Sequence, residues 1–157
     1  LMPGFHESNW TDHEVGVAVG RDVLVIPIRR GIDPYGFIGK YQGLQAKDKT
    51  VGQVATEIFS VILSNQKTKG RMLDCLVDQF LLSGTVDDAN RWLKLLGMVE
   101  TLPERHGEKI IEIFASNNIV SNSEIIRKST NKLLEKHGMG SVPEFIQEAI
   151  MDDEIPF

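Results

Sequence analysis

A single cysteine, Cys75, in 157 residues leaves no partner for an internal disulfide. The fold must therefore be held by packing and hydrogen bonds, and a reducing cytoplasm is the expected compartment. No apolar run approaches the ~18 residues of a membrane span, and no secretory leader pattern is visible. Basic clusters are also missing. The densest is the pair Arg29-Arg30, and the formal net charge is −5, which argues against a nucleic-acid partner. His6 and His13 match no metal-ligand spacing, so no metal site is expected. Gly36-x-x-Gly39-Lys40 lacks the spacing and the following Ser/Thr of a phosphate loop. The chain opens on Leu1 rather than Met, and the expectation is a start partway through a domain.

What is present is ordinary for a folded protein: 41% hydrophobic residues, enough for one domain or two small ones. Leu1-Met2-Pro3-Gly4-Phe5 reads as a strand end running into a loop. Ser8-Asn9-Trp10-Thr11-Asp12-His13-Glu14 is dense in helix-start signals, with caps followed by acidic residues. That helix is expected to stop at Gly20. Val23-Leu24-Val25-Ile26-Pro27-Ile28 is continuously apolar and β-branched, the pattern of a buried α/β strand, with Pro27 pushing it towards an edge or a terminus. Gly31 to Phe37 is a turn-rich loop. From Val51 the period is helical, with Val54, Ile58, Val61 and Ile62 on one stripe. The polar stretch 66–70 is the expected domain boundary.

Beyond Gly70 about five helices are expected, joined by short connections into a bundle. Their apolar faces carry Met72, Leu73, Leu76, Val77, Phe80 and Leu81; then Ala89, Trp92, Leu93 and Leu96; then Ile110, Ile111 and Phe114; then Ile125, Ile126, Leu133 and Leu134. Cys75 is expected on the apolar side of its helix, and His137, in a last turn, beside the helix dipole. A short helix over 142–151 and an acidic tail over 152–157 complete the reading.

The sharpest chemical signal is Trp10-x-x-x-Glu14. Positions i and i+4 share a helix face, and this helix begins where α/β folds place ligands, at the carboxyl end of the preceding strand. A carboxylate there can hold ribose hydroxyls or stabilise a cationic sugar transition state. Thr11-x-x-Glu14 also fits a capping box, in which Glu14 bonds back to the backbone. Both readings stand on spacing alone.

The segment Phe5 to Gly16, with a serine, then Trp10, three residues and Glu14, resembles the corresponding segment of bacterial TIR (Toll/interleukin-1 receptor) domains. Ala18-Val19-Gly20-Arg21-Asp22 leading into Val25-Ile26-Pro27-Ile28, and the loop from Asp33 to Leu44, are similar to that family's next steps. The resemblance covers about the first 65 residues. It implies an α/β chain whose residues 1–65 form the C-terminal half of a flavodoxin-like TIR parallel sheet, followed by an all-α domain over 70–151; mostly helical overall. It also implies that the family's opening strand, first helices and NAD⁺-covering loop would precede Leu1, so that no complete nucleotide pocket is expected in this chain alone.

For function, the resemblance implies NAD⁺ hydrolysis with release of nicotinamide, in anti-phage defence or signalling. Glu14 would be the catalytic residue, with Trp10 and Ser8 as substrate-binding positions. NAD⁺ enters as substrate, with no further cofactor, and a homo-oligomer is the expected assembly. The alternative is a non-catalytic TIR interaction module.

Overall fold

The computed structural model describes residues 1–2, 4–7 and 9–144. Ser8, most of the helix expected over 142–151 and the acidic stretch 152–157 lie outside the described residues. The protein is a mostly helical α/β chain with a small parallel sheet. It divides into two compact units, one spanning Leu1–Met72 and the second beginning at Leu73.

In the first unit, α1 (Asn9–Gly20) leads to β1 (Ile28–Arg29), which pairs in parallel with β2 (Leu44–Gln45). Only the end of the apolar run 23–28 is laddered. Pro27, which has no N–H to give, still accepts from Leu44 N–H at 2.8 Å, and Arg29 accepts from Ala46 N–H at 2.8 Å. The opposite edge of β1 is also used. The Leu1 amino group donates to the Ile28 carbonyl, and Arg30 N–H donates to the Leu1 carbonyl at 2.9 Å. Residues 28 and 30 thus flank Leu1 as a parallel neighbour would. Leu1 belongs to no strand, however, and the sheet among the described residues is β1 and β2, both of which follow α1.

α1 ends at Gly20, as expected, and is closed by the residues just beyond it. Asp22 takes the left-handed conformation (φ 55°), Val23 N–H donates to Ala18 O at 2.9 Å and Asp22 N–H to Val19 O at 3.1 Å. This is a Schellman closure with an aspartate in the position glycine usually holds. Its carboxylate pairs with Lys67. Before β2, Gly43 lets the chain pass Arg29 closely: a Cβ there would lie 2.7 Å from Arg29 Cγ and 3.1 Å from Pro34 Cγ. The amphipathic α2 (Val51–Ser64) starts with a full capping box between Thr50 and Gln53, yet none of its residues is buried.

The second unit is built on helices whose apolar stripes meet. α3 (Lys69–Leu81) buries Leu73, Leu76, Val77, Phe80 and Leu81. α4 (Val86–Gly97), capped by Thr85, buries Ala89, Leu93 and Leu96, while Trp92 is half-buried. α5 (Glu104–Ile113) buries His106, Gly107 and Ile110 and runs into a 3₁₀ turn that buries Phe114. The one-turn α6 (Asn118–Ser121) and α7 (Glu124–Lys136) complete the set; α7 buries Ile126, Thr130, Leu133 and Leu134. At roughly 1.5–3 kcal/mol per fully buried large side chain, these stripes are the main stabilising force of the unit. Gly138 (φ 69°) closes α7, with Met139 N–H donating to Leu134 O at 3.0 Å.

Two side chains fall on the other side of their helices from the one expected. Cys75 is exposed, because it lies 100° from Leu76 and about 200° from Leu73, off the stripe those residues define. Ile125 is 66% exposed while Ile126 is fully buried, for the same geometric reason.

Candidate functional site

The sequence places its chemistry on α1, and the faces of that helix do different things. Trp10, Glu14 and Val17 are related by steps of four and three and so share one face. That face is open: Trp10 is 78% exposed, Val17 57%, and Glu14 is exposed. Thr11 lies inside α1 rather than at its cap, so the Thr11–Glu14 capping box does not form. Among the described residues the Glu14 carboxylate has no hydrogen-bond or ion-pair partner. Ser8, the remaining position implied by the resemblance, lies outside the described residues.

A second face of α1, carrying Asp12, Val15 and Gly16, meets the loop that follows β1. A 3₁₀ turn over Gly36–Ile38 buries Ile38, and Phe37 lies where a Cβ on Gly16 would touch its ring at 3.6 Å. Between them is a cleft of about 430 Å³ lined by Asp12, Val15, Tyr35, Gly36, Phe37 and Ile38. Tyr35 OH donates to Asp12 Oδ1 at 3.3 Å, and the Phe5 ring meets Tyr35 edge-on at 6.2 Å. Loss of solvent around the phenol, then the Asp12 charge, then the hydrogen bond to it raise the Tyr35 pKa above the usual tyrosine value. The cleft can hold a small apolar or hydroxyl-bearing group beside the Asp12 carboxylate. Glu14 is not among its lining residues.

The Asp12–Tyr35 pair was not legible in the sequence. Asp12 reads as a first-turn acid that favours the helix dipole, and Tyr35 as one residue of a turn-rich loop. Only the packing of that loop onto α1 joins them across 23 positions.

The second unit holds two buried or part-buried histidines, and the setting of His137 differs from the expectation. His106, 2% exposed, donates from Nε2 to Asp74 Oδ1 at 2.8 Å, and Arg105 reaches the same oxygen at 3.0 Å. Its Nδ1 is buried with no partner among the described residues. His106, Ile110 and Phe114 recur every four residues, so the helical period does place this histidine on the core stripe. His137 does not serve the helix dipole as a cation. Burial, and then the Lys136 charge, hold its pKa below the usual histidine value. Its Nδ1 instead accepts the Leu102 N–H at 3.3 Å.

No group of His, Cys, Asp and Glu side chains among the described residues is arranged to hold a metal ion. No described helix is long and apolar enough to cross a membrane. Comparison with protein-family models, with curated proteins and with solved structures finds no match to this chain.

Proposed function

We propose that the first unit is the catalytic-helix part of a flavodoxin-like TIR domain, and that its chemistry is cleavage of NAD⁺. The observation that supports this reading is Glu14: an exposed carboxylate, with no partner among the described residues, on the helix that leads into the parallel pair β1–β2. In this reading the start of the helix follows the carboxyl end of a strand, the usual place for ligands in α/β sheets.

In this reading Glu14 engages the nicotinamide ribose and stabilises positive charge developing at C1′ as the glycosidic bond breaks. The bonding pair leaves with neutral nicotinamide. Water adds to C1′ and releases a proton, giving ADP-ribose. Trp10, one turn before Glu14 on the same face, forms a wall of the site, and the resemblance makes Ser8 a second substrate-binding position. The setting is cytoplasmic, in anti-phage defence or signalling, with NAD⁺ as the small-molecule partner and a homo-oligomer as the assembly. A direct binding test uses Trp10 as the reporter in a Trp92→Phe background. At concentrations where copies of the chain assemble and a neighbour can complete the pocket, NAD⁺ is expected to change Trp10 emission with a saturable dependence, and a flat titration there would remove the proposed site.

A second reading, a non-catalytic interaction module, is favoured by the same face. Exposed Trp10 and Val17 flank Glu14, and exposed aromatic anchors are common at protein interfaces. Under that reading a Trp10→Ala, Val17→Ser variant lowers the sedimentation-derived mass of the assembly. An unchanged mass distribution counts against it.

A further inference from the structure

In the second unit, α4 and α7 enclose a groove of about 400 Å³ with a floor of Leu93, Gly97 and Leu133. Its rims are cationic on both sides: Lys94 belongs to α4, Lys132 and Lys136 to α7. No acidic side chain lines it, although the whole chain carries a net charge of −5. Lys136 is held in place, donating to Gly97 O at 3.0 Å and to Val99 O at 3.1 Å. Lys94 and Lys132 have no ion-pair partner among the described residues. Lys109 and Lys128, in the same unit but outside the groove, pair with Asp78 and Glu124.

Aliphatic lysine stems readily cover an apolar floor. That habit accounts for the stems, but not for a lining that gathers cations from two helices and excludes every acid. We propose that this groove binds an acidic, amphipathic peptide segment of a partner protein. Its apolar residues sit over Leu93, Gly97 and Leu133, and its carboxylates meet Lys94 on one rim and Lys132 on the other. A flat anionic membrane cannot reach a concave floor and is repelled by the acidic remainder of the chain. A small inorganic anion leaves the apolar floor unused.

The test uses the full chain and a fluorescent helix-forming peptide of about four turns, with leucines along one stripe and glutamates on both flanks. Anisotropy is expected to show binding that weakens with added salt. A Lys94→Glu, Lys132→Glu variant is expected to bind roughly tenfold more weakly, as two rim ion pairs become repulsions. Gly97→Leu is the independent check. A Cβ at Gly97 meets nothing within 4 Å, so the new side chain fills the groove without a backbone clash, and leucine is the better helix former. This variant should keep its far-UV spectrum and lose the peptide. The proposal is overturned if the wild type does not bind the peptide, or if both variants bind it unchanged. It is also overturned if inorganic phosphate or anionic vesicles bind the groove while the peptide does not.

Discussion

Asn117 joins two helix ends with four hydrogen bonds from one side chain. Its Oδ1 caps α6, accepting from Ile119 N–H at 2.9 Å and Val120 N–H at 3.3 Å. Its Nδ2 donates to Leu81 O at 2.8 Å and Ser83 O at 3.0 Å, at the end of α3. Replacing it with alanine loses a cap, at a cost of about 1 kcal/mol. The same change strands two partly buried carbonyls, for roughly 1–2 kcal/mol more. Asn117→Ala is therefore expected to destabilise the second unit by about 2–3 kcal/mol in urea unfolding. For a unit of this size that is a fall in Tm of roughly 10 °C or more.

Asn117→Asp separates the two halves of the argument. Aspartate caps a helix as well as asparagine does, and its charge favours an N-terminus. A side chain that is only a cap would leave stability unchanged or slightly raised. Here, however, the second carboxylate oxygen would face the Leu81 and Ser83 carbonyls with no proton to give. The aspartate variant should lose about 2 kcal/mol at neutral pH and recover part of it in acid, where the carboxyl can donate. Urea midpoints followed by far-UV circular dichroism and by the emission of half-buried Trp92 report this. An aspartate variant as stable as the wild type would refute the two-sided clamp.

Other consequences are as direct. Thr50→Ala breaks the capping box of α2 and should cost about 1 kcal/mol, read as faster amide exchange through that helix, which has no buried residue to compensate. His137 has a pKa lowered in the folded state, so the unfolded chain takes up its proton first. Its contribution is intact above the unfolded histidine value near 6.5 and is lost as pH falls through that value towards the depressed folded one. His137→Gln should therefore flatten the fall in stability between about pH 7 and 5, and an unaltered slope would contradict the assignment. For Tyr35, ultraviolet titration against a Tyr35→Phe reference should place its ionisation above the usual range. Asp12→Asn should bring it only part of the way back, because loss of solvent is the larger cause.

The second unit was the more legible part of the chain. Leu73, Leu76, Val77 and Phe80, or Ala89, Leu93 and Leu96, repeat at the helical period, and period alone decides which face is buried. The same rule explains why Cys75 and Ile125 were misplaced: each is adjacent in sequence to a core residue and a hundred degrees away in space. Asn117 and the single turn of α6 carry no periodic signal at all, since they exist to connect.

In the first unit, local signals gave only part of the answer. Val23 to Ile28 has strand composition throughout, but a strand needs a partner, and only Ile28 and Arg29 meet one in β2. Gly20 does end α1, but it does not supply the left-handed residue that glycine tolerates. The chain instead uses Asp22, with Lys67 beside its carboxylate 45 positions later. On α1 the shared face of Trp10 and Glu14 was legible from spacing. That Asp12 faces the cleft with Tyr35 depends on how a loop folds back, and no local pattern encodes it.

The central claim is that Glu14 is the residue that breaks the nicotinamide–ribose bond. The most direct measurement is nicotinamide release from NAD⁺ by the concentrated full chain, followed chromatographically, for the wild type and for Glu14→Gln with a matched far-UV spectrum. The account predicts release by the wild type and a loss of about two orders of magnitude or more in the variant, as expected when a group that stabilises transition-state charge is removed. Equal release by both proteins, or none from the correctly folded wild type, would contradict it.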